Sequence, residues 1–150
     1  MNMLQALNKS VSFVEKVTNQ SKIESKIEAE HIFMYVLQID KKKLYEQYNT
    51  YLSDEDNKKI KDILELRKNK PLSYIINKHA FYKDEFYVNQ NVLIPRPETE
   101  FIIDEVLKQG DILFKEKNRC VFLDAGTGSG CVGITIANER PLWEILLLER

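Results

Sequence analysis

Apolar positions in the first seventy residues follow the three- and four-residue spacing of amphipathic helices. One stripe begins at Leu4, and a second follows Ser25 and continues to Leu37. Glu28 lies three residues after Ser25, which is the sequence pattern of a helix capping box. The spacing therefore predicts two long helices, the second of them beginning at Ser25.

Two further helices are predicted before residue 70. A short one covers Lys41 to Gln47, and Ser53 with Asp56 has the spacing of a side-chain cap for another helix. Pro71 is predicted to end the helical region, because proline disrupts a helix interior. Four apolar stripes of this size can bury one small core, so residues 1–75 are predicted to form a helical bundle.

Residues 80–94 are rich in aromatic and β-branched side chains, which favour strands. Turn-forming residues occur at Lys83–Glu85 and again at Asn89–Asn91. The pattern predicts a β-hairpin, which we place in a linker of residues 76–97. Two prolines then hold the chain extended, and a helix is predicted to begin near Pro97 and to stop at Gly110.

The last forty residues alternate short apolar runs with a glycine-rich loop. Arg119–Leu123 and Glu144–Leu148 are predicted as buried strands, with the loop Asp124–Gly130 and a helix between them. Two strands joined by a helical crossover are the βαβ unit of a parallel sheet. Ligands of such sheets bind at the carboxyl ends of the strands, where this loop lies.

Charge and composition argue against several classes of function. The 22 basic and 23 acidic residues give a net charge of -1, which provides no electrostatic footprint for nucleic acid or an anionic membrane. No apolar run is long enough to cross a bilayer, and the N-terminus lacks the features of a secretory signal. Lysines gathered near the helical stripes, at positions 41–43, 58, 59, 61, 68 and 70, are interpreted as a solvated face. A docking surface for an acidic partner is the alternative.

The cysteines and histidines do not indicate a metal site. Cys120 and Cys131 lie in apolar segments, and we predict that both are reduced core thiols of a cytosolic protein. His31 and His79 are far apart in the sequence. No cluster of metal-ligand residues is therefore expected.

The glycine-rich loop admits two kinds of cofactor. Glu149 ends the second strand and can accept hydrogen bonds from the two ribose hydroxyls of an adenosine. Gly128, Gly130 and Gly133 also fit the dinucleotide fingerprint. Asp124 favours S-adenosylmethionine, because a carboxylate there repels a pyrophosphate and attracts the cationic methionine end. A nicotinamide-dependent oxidoreductase and a loop used only for packing are the alternatives.

Five segments of the chain form a recognisable set: IEAEHIFMYVL at 27–37, YLSDED at 51–56, KPLSYIINKHAFY at 70–82, VLIPRPETE at 92–100 and FLDAGTGSG at 122–130. They resemble segments that recur in the glutamine methyltransferases of peptide chain release factors. IPRPETE at 94–100 is the most specific part, because the glycine motif occurs in many methyltransferases.

The resemblance implies an α/β fold with an N-terminal helical bundle, a β-hairpin and the first βαβ unit of a Rossmann-like class I methyltransferase domain. Residues 1–75 would dock the protein substrate, 76–97 would form the hairpin linker, and 98–150 would begin the S-adenosylmethionine-binding domain. The implied cofactor-binding residues are Asp124, Gly126, Thr127, Gly128, Ser129, Gly130 and Glu149. The residues implied to flank the methyl-transfer pocket are Phe81, Arg96, Pro97 and Thr99.

Two positions qualify what the resemblance implies. The family's usual residue at position 149 is Asp, and the longer Glu149 can still accept both ribose hydroxyls. For Phe81, packing in the hairpin core is an equal alternative to a place in the pocket.

The family's Asn-Pro-Pro-Tyr motif, which orients the substrate amide, does not occur in the chain. We therefore expect a truncated chain that carries no catalytic residue and is inactive alone. Its parent would act in the cytoplasm and methylate the glutamine amide in the Gly-Gly-Gln loop of a release factor, with no direct contact to nucleic acid or membrane. A non-catalytic binding module, or a gene relic that keeps the helical domain, is the alternative.

Overall fold

The computed structural model describes residues 1–114 and 120–149, so Arg119 in the first predicted strand lies outside the described residues. The chain divides into two compact units, Met1–Ile76 and Asn77–Arg150. Helices predominate, and two small sheets belong to the second unit. The predicted mixed α/β fold is confirmed.

The first unit is a cluster of helices around one apolar core. Its largest fully buried side chains are Leu7, Ile32, Phe33 and Leu44. Backbone bonds from Met3 N and Leu4 N to the loop near residue 50 close the cluster at its N-terminus. The helices are α1 (Met3–Thr18), α2 (Lys22–Leu37), α3 (Lys41–Glu46), α4 (Asp54–Arg67) and α5 (Leu72–Ile76).

Side-chain caps determine where these helices begin. Ser53 caps α4 by accepting a hydrogen bond from the Asp56 N–H, as predicted. The predicted start of α2 at Ser25 is wrong, because Ser21 caps this helix through a capping box with Glu24. Both serines fit the same capping pattern. The helix begins after Ser21, which adds one turn to its N-terminus and places Ser25 inside the core.

The chain after Pro71 also differs from the prediction. Pro71 was expected to end the helical region, but a short helix begins directly after it. The carbonyl of Pro71 accepts hydrogen bonds from the N–H groups of Tyr74 and Ile75, and these begin α5. Proline is tolerated at the start of a helix, where its missing N–H has no partner to lose.

Two polar contacts join helices of the first unit. Arg67 of α4 binds both carboxylate oxygens of Glu28 on α2. The buried Glu30 of α2 accepts hydrogen bonds from Tyr45 Oη at 3.0 Å and from Lys41 Nζ at 3.1 Å. The contact with Glu30 raises the pKa of Lys41. Three of the lysines near the stripes pair with glutamates of their own unit: Lys41, Lys59 and Lys68.

The second unit opens with an antiparallel hairpin of β1 (Lys78–Phe81) and β2 (Asp84–Tyr87). The hairpin was predicted, but its turn lies at Tyr82 and Lys83, while Asp84 and Glu85 belong to β2. Tyr82 takes a positive φ of 58°. Side chains far along the chain hold this turn: Glu100 accepts from the Tyr82 N–H, and Asp104 accepts from its hydroxyl.

A 3₁₀ turn at Pro97–Thr99 leads into α6 (Glu100–Leu113). Pro97 occupies the first turn, as predicted. Gly110 does not stop the helix, because it lies buried inside α6 against the indole of Trp143. The glycine is therefore needed for space and not for a positive φ.

Replacing Gly110 with alanine is expected to destabilise the second unit by about 1 to 3 kcal/mol. The added Cβ would lie 2.0 Å from Cη2 of Trp143, so the rigid indole would have to move. At an exposed position inside a helix, the same change from glycine to alanine stabilises the protein by about 1 kcal/mol. The sign of the change in unfolding free energy therefore tests whether Gly110 contacts Trp143. Urea unfolding followed by circular dichroism measures it, and the exposed neighbour Lys108 changed to alanine is the control. A more stable Gly110→Ala protein would contradict the packing.

The remaining elements are β3 (Val121–Ala125), α7 (Cys131–Glu139) and β4 (Glu144–Leu148). The strands pair in parallel, with Val121 opposite Glu144 and Ala125 opposite Leu148. This arrangement is the predicted βαβ unit.

Only one face of the β3–β4 sheet is covered among the described residues. Phe122 and Ile145 point to the side of α7 and pack against a core formed by Phe81, Phe86, Ile103, Leu107, Cys131 and Ile136. The opposite face, here called the open face, exposes about half of each of four apolar side chains. They are Val121 (51%), Leu123 (56%), Leu146 (47%) and Leu148 (57%).

Both cysteines belong to the second unit. Cys120 and Cys131 are free and buried, as predicted for core thiols, and burial raises the pKa of each. Within residues 1–114 and 120–149, every helix is too short or too polar to span a bilayer.

Candidate cofactor-binding site

The glycine-rich loop connects the carboxyl end of β3 to α7. Gly126, Gly128 and Gly130 have φ values of 79°, 55° and 78°, in the left-handed region that glycine tolerates best. A Cβ placed on Gly126 or Gly128 would meet no atom within 4 Å. This side of the loop backbone is therefore open to a ligand.

The loop is tied to the end of the neighbouring strand. The N–H groups of Gly126 and Thr127 both donate to the carbonyl of Leu148, at 2.7 and 3.2 Å. The N–H of Gly130 donates to the carbonyl of Thr127 at 2.8 Å. The loop therefore has a defined shape at the carboxyl ends of both strands.

Asp124 is half-buried at the start of the loop. Its Oδ2 accepts one hydrogen bond from Thr127 Oγ1 at 2.8 Å and another from the N–H of Gly133 at 3.0 Å. The N-cap position of α7 is Gly130, which has no side chain to cap with. Asp124 therefore satisfies a helix N–H group that a local cap would otherwise take.

Glu149 follows β4 and lies against the same loop. Its Oε2 accepts a hydrogen bond from the N–H of Gly128 at 2.6 Å. Two carboxylates of the protein thus bind backbone N–H groups in and beside the loop. Such N–H groups are what a phosphate needs at a glycine loop, so the local field opposes anions and favours hydroxyl or cationic groups.

A cavity of about 530 Å³ lies between the hairpin and the loop. Its walls come from β2 and the segment after it, from Gly128 and Ser129 of the loop, and from Ile134 and Asn138 of α7. This volume falls in the range of small-molecule sites, which is about 300 to 1,000 Å³.

The four residues expected to flank a pocket lie elsewhere in the second unit. Phe81 is 1% exposed and packs edge-to-face on Phe86, with ring centroids 6.1 Å apart. Arg96 and Pro97 are exposed at the 3₁₀ turn, and Thr99 is half-buried within it. None of the four lines the cavity, and their part in a methyl-transfer pocket stays a prediction.

Contacts that anchor the hairpin escaped the sequence analysis. Lys83 forms an ion pair with Glu139 at 2.6 Å, and Asn138 donates to Asp84 at 3.0 Å. More than fifty residues separate the partners of each pair, so spacing carries no signal for them. His79 of β1 also lies in this region, and burial lowers its pKa against the smaller opposing effect of the Pro95 carbonyl.

Among the described residues, no three His, Cys, Asp or Glu side chains gather as a metal ion would require. The groups of this region that could contact a cofactor are the Thr127 and Ser129 hydroxyls and the carboxylates of Asp124 and Glu149.

Residues 5–76 match the family model of the PrmC N-terminal domain. Three proteins named release factor glutamine methyltransferase are similar to this chain. The protein of Leptospira interrogans serogroup Icterohaemorrhagiae serovar Lai is 38% identical over 97% of the chain and 49% of its own length. That of Thermodesulfovibrio yellowstonii is 35% identical over 95% of the chain and 50% of its length. That of Dictyoglomus turgidum is 43% identical over 75% of the chain and 38% of its length.

In this chain the match to the PrmC N-terminal domain covers the helical unit, and the α/β unit with the glycine-rich loop follows it. The chain belongs to the release factor glutamine methyltransferase family and corresponds to the N-terminal part of its members. It spans about half the length of the curated relatives it matches most extensively.

Proposed function

We propose that this chain is part of an S-adenosylmethionine-dependent methyltransferase. Its substrate is the glutamine side-chain amide in the Gly-Gly-Gln loop of a peptide chain release factor, which it meets in the cytoplasm without direct contact to nucleic acid or membrane. The names of the similar proteins support the reaction and the partner. The resemblance of the loop and of IPRPETE to family segments supports the cofactor.

The hydrogen bonds of Asp124 and Glu149 carry the choice of cofactor. A dinucleotide needs free N–H groups at the loop and at the N-terminus of the following helix for its pyrophosphate. Here Glu149 holds the N–H of Gly128, and Asp124 holds that of Gly133. A pyrophosphate would have to displace two carboxylates and then remain beside them, whereas S-adenosylmethionine has no phosphate.

Under this proposal, different residues of the site bind different parts of the cofactor. Glu149 accepts hydrogen bonds from the ribose hydroxyls, and the loop from Gly126 to Gly130 receives the methionine half against its open backbone. The βαβ unit is then the first unit of a Rossmann-like domain. When bound, S-adenosylmethionine supplies a methyl group activated by its sulfonium charge.

Orientation of the substrate amide is the other requirement of the reaction, because an amide nitrogen is a poor nucleophile that gains most from positioning. The chain contains no Asn-Pro-Pro-Tyr motif. We propose that residues 1–75 dock the release factor, that the hairpin region 76–97 links the two parts, and that an amide clamp lies outside residues 1–150.

Transfer of a labelled methyl group tests the proposal. The complete gene product, incubated with radiolabelled S-adenosylmethionine and a release factor, is expected to label the factor. A factor whose Gly-Gly-Gln glutamine is changed to alanine should stay unlabelled, and so should wild-type factor incubated with residues 1–150 alone.

Calorimetric titration with S-adenosylmethionine and with a nicotinamide dinucleotide tests the cofactor separately. The proposal fails if the dinucleotide binds more tightly, or if the intact factor stays unlabelled.

A further inference from the structure

We infer that Asp124 and Thr127 are positioning residues. They hold the glycine loop in the shape that binds the cofactor, and the Asp124 carboxylate does not act by attracting the positive charge of the cofactor. The inference rests on the proposed function, because it concerns the same site. It gives Asp124 a different role from the electrostatic attraction that its charge alone indicates.

The first observation is where the Asp124 carboxylate points. A Cβ on Gly133 would lie 3.1 Å from Asp124 Oδ2, so the carboxylate rests directly on the first turn of α7. Its Oδ2 receives both the Thr127 hydroxyl and the Gly133 N–H. A Cβ built on Gly126 or Gly128 would instead meet no atom within 4 Å. The carboxylate thus bonds to the protein side of the loop.

The second observation is that Thr127 connects three parts of the structure. Its N–H donates to the carbonyl of Leu148 at the end of β4, and its carbonyl accepts from the N–H of Gly130 before α7. Its hydroxyl donates to Asp124 at the end of β3. Loss of the hydroxyl therefore releases the loop from β3 while the backbone bonds remain.

The third observation is the composition of the loop. Three of its residues are glycines at positive φ, and glycine loses more conformational freedom on ordering than any other residue. An untethered loop would sample other shapes, and only the competent fraction would bind a ligand. The side-chain tether from Asp124 to Thr127 raises that fraction before the cofactor arrives.

Two ligands that differ in charge separate positioning from attraction. S-adenosylmethionine has a cationic sulfur, whereas its demethylated product, S-adenosylhomocysteine, has a neutral one. If Asp124 positions the loop, Asp124→Ala in the complete gene product should weaken both ligands by the same factor, about tenfold or more. Asp124→Asn keeps an oxygen acceptor for the Gly133 N–H but removes the charge, so it should weaken both ligands by one common factor that is smaller than the factor for Asp124→Ala.

A matched pair of threonine variants tests the tether itself. Thr127→Val removes the hydroxyl at nearly constant volume and should weaken both ligands equally, while Thr127→Ser should restore binding. Thr135→Val is the control, because the Thr135 hydroxyl is buried in α7 without a hydrogen-bond partner. The control should bind both ligands as wild type does. Thr127→Val also serves if Asp124→Ala fails to fold.

The outcomes distinguish the inference from the proposed function. The inference is overturned if Asp124→Asn loses S-adenosylmethionine but keeps S-adenosylhomocysteine, or if Thr127→Val binds as wild type does. A wild-type protein that binds neither ligand overturns the proposed function instead. Hydrogen exchange of the Gly133 backbone amide then tests the contact with Asp124 without a ligand. Protection of this amide should fall in Asp124→Ala, and unchanged protection would refute the inference.

Discussion

Replacing Phe33 with alanine is expected to destabilise the first unit by about 3 to 5 kcal/mol. The ring is fully buried on the C-terminal half of α2, and it touches a core to which α1, α3 and α4 all contribute. Removing it loses the transfer free energy of the ring and leaves a cavity that helices on several sides cannot fill. A domain of ordinary stability has about 5 to 15 kcal/mol in total, so the change removes a large share.

Urea unfolding followed by far-ultraviolet circular dichroism measures this loss. The matched control is Tyr35→Ala, which removes an aromatic ring from the same helix at a position that is 38% exposed. The control should cost much less, because its ring is already partly in water. A loss below about 1 kcal/mol for Phe33→Ala would mean that the core can close around the cavity, contrary to the packing described.

Glu149→Ala is expected to weaken S-adenosylmethionine, S-adenosylhomocysteine and adenosine alike, by about a hundredfold or more. Under the proposed function, the variant loses two ribose hydroxyl bonds to a carboxylate, each worth about 1.5 to 3 kcal/mol, and about 1.4 kcal/mol is a factor of ten. The structure adds a second effect, because the variant also frees the Gly128 N–H that Glu149 now holds. A nicotinamide dinucleotide would lose the same ribose bonds but gain this N–H as a donor to its pyrophosphate, so its affinity should fall less than that of adenosine.

Calorimetric titration of the complete gene product with these four ligands checks the expectation. Glu144→Ala, at the opposite end of β4, is the control and should bind the adenosine ligands as wild type does. Glu149→Asp should keep the ribose contacts with a smaller loss. If Glu149→Ala weakened S-adenosylmethionine but left adenosine unchanged, Glu149 could not be the acceptor for the ribose.

Patterns local in sequence predicted most of the elements. The apolar stripes located α1, α3 and α4, and the bounds of β4 agree with the prediction. These features depend on residues a few positions apart, so their spacing is visible in the sequence. The start of α2 was missed because Ser21 and Ser25 carry the same capping signal, and choosing between them requires knowing which one is buried.

Features fixed by distant residues could not be predicted in this way. The hairpin turn at Tyr82 depends on Glu100 and Asp104, and the buried position of Gly110 depends on Trp143. Each contact joins parts of the chain that only the fold brings together.

The same distinction between nearby and distant residues applies to the candidate site. The glycine motif located the loop and the sequence singled out both carboxylates. The contacts of Asp124 with Thr127 and Gly133 depend on how α7 packs against β3. Sequence therefore predicted the charge of Asp124 but not the direction in which its carboxylate points.

The open face follows from the same packing. Strands of parallel sheets are normally covered on both sides, and here α7 covers the side of Phe122 and Ile145. Val121 and Leu123 of β3, with Leu146 and Leu148 of β4, present apolar surface on the other side. Exposed apolar patches of this kind favour association, so dilute solutions are the right condition for the measurements above.

The two buried cysteines make the second unit chemically distinguishable from the first. Cys120 and Cys131 are the only thiols in the chain, and both belong to the second unit. A thiol reagent attacks the thiolate, which burial and the raised pKa keep scarce until the structure opens. The rate of alkylation therefore measures how often the second unit opens. The first unit contributes no signal, because it contains no cysteine.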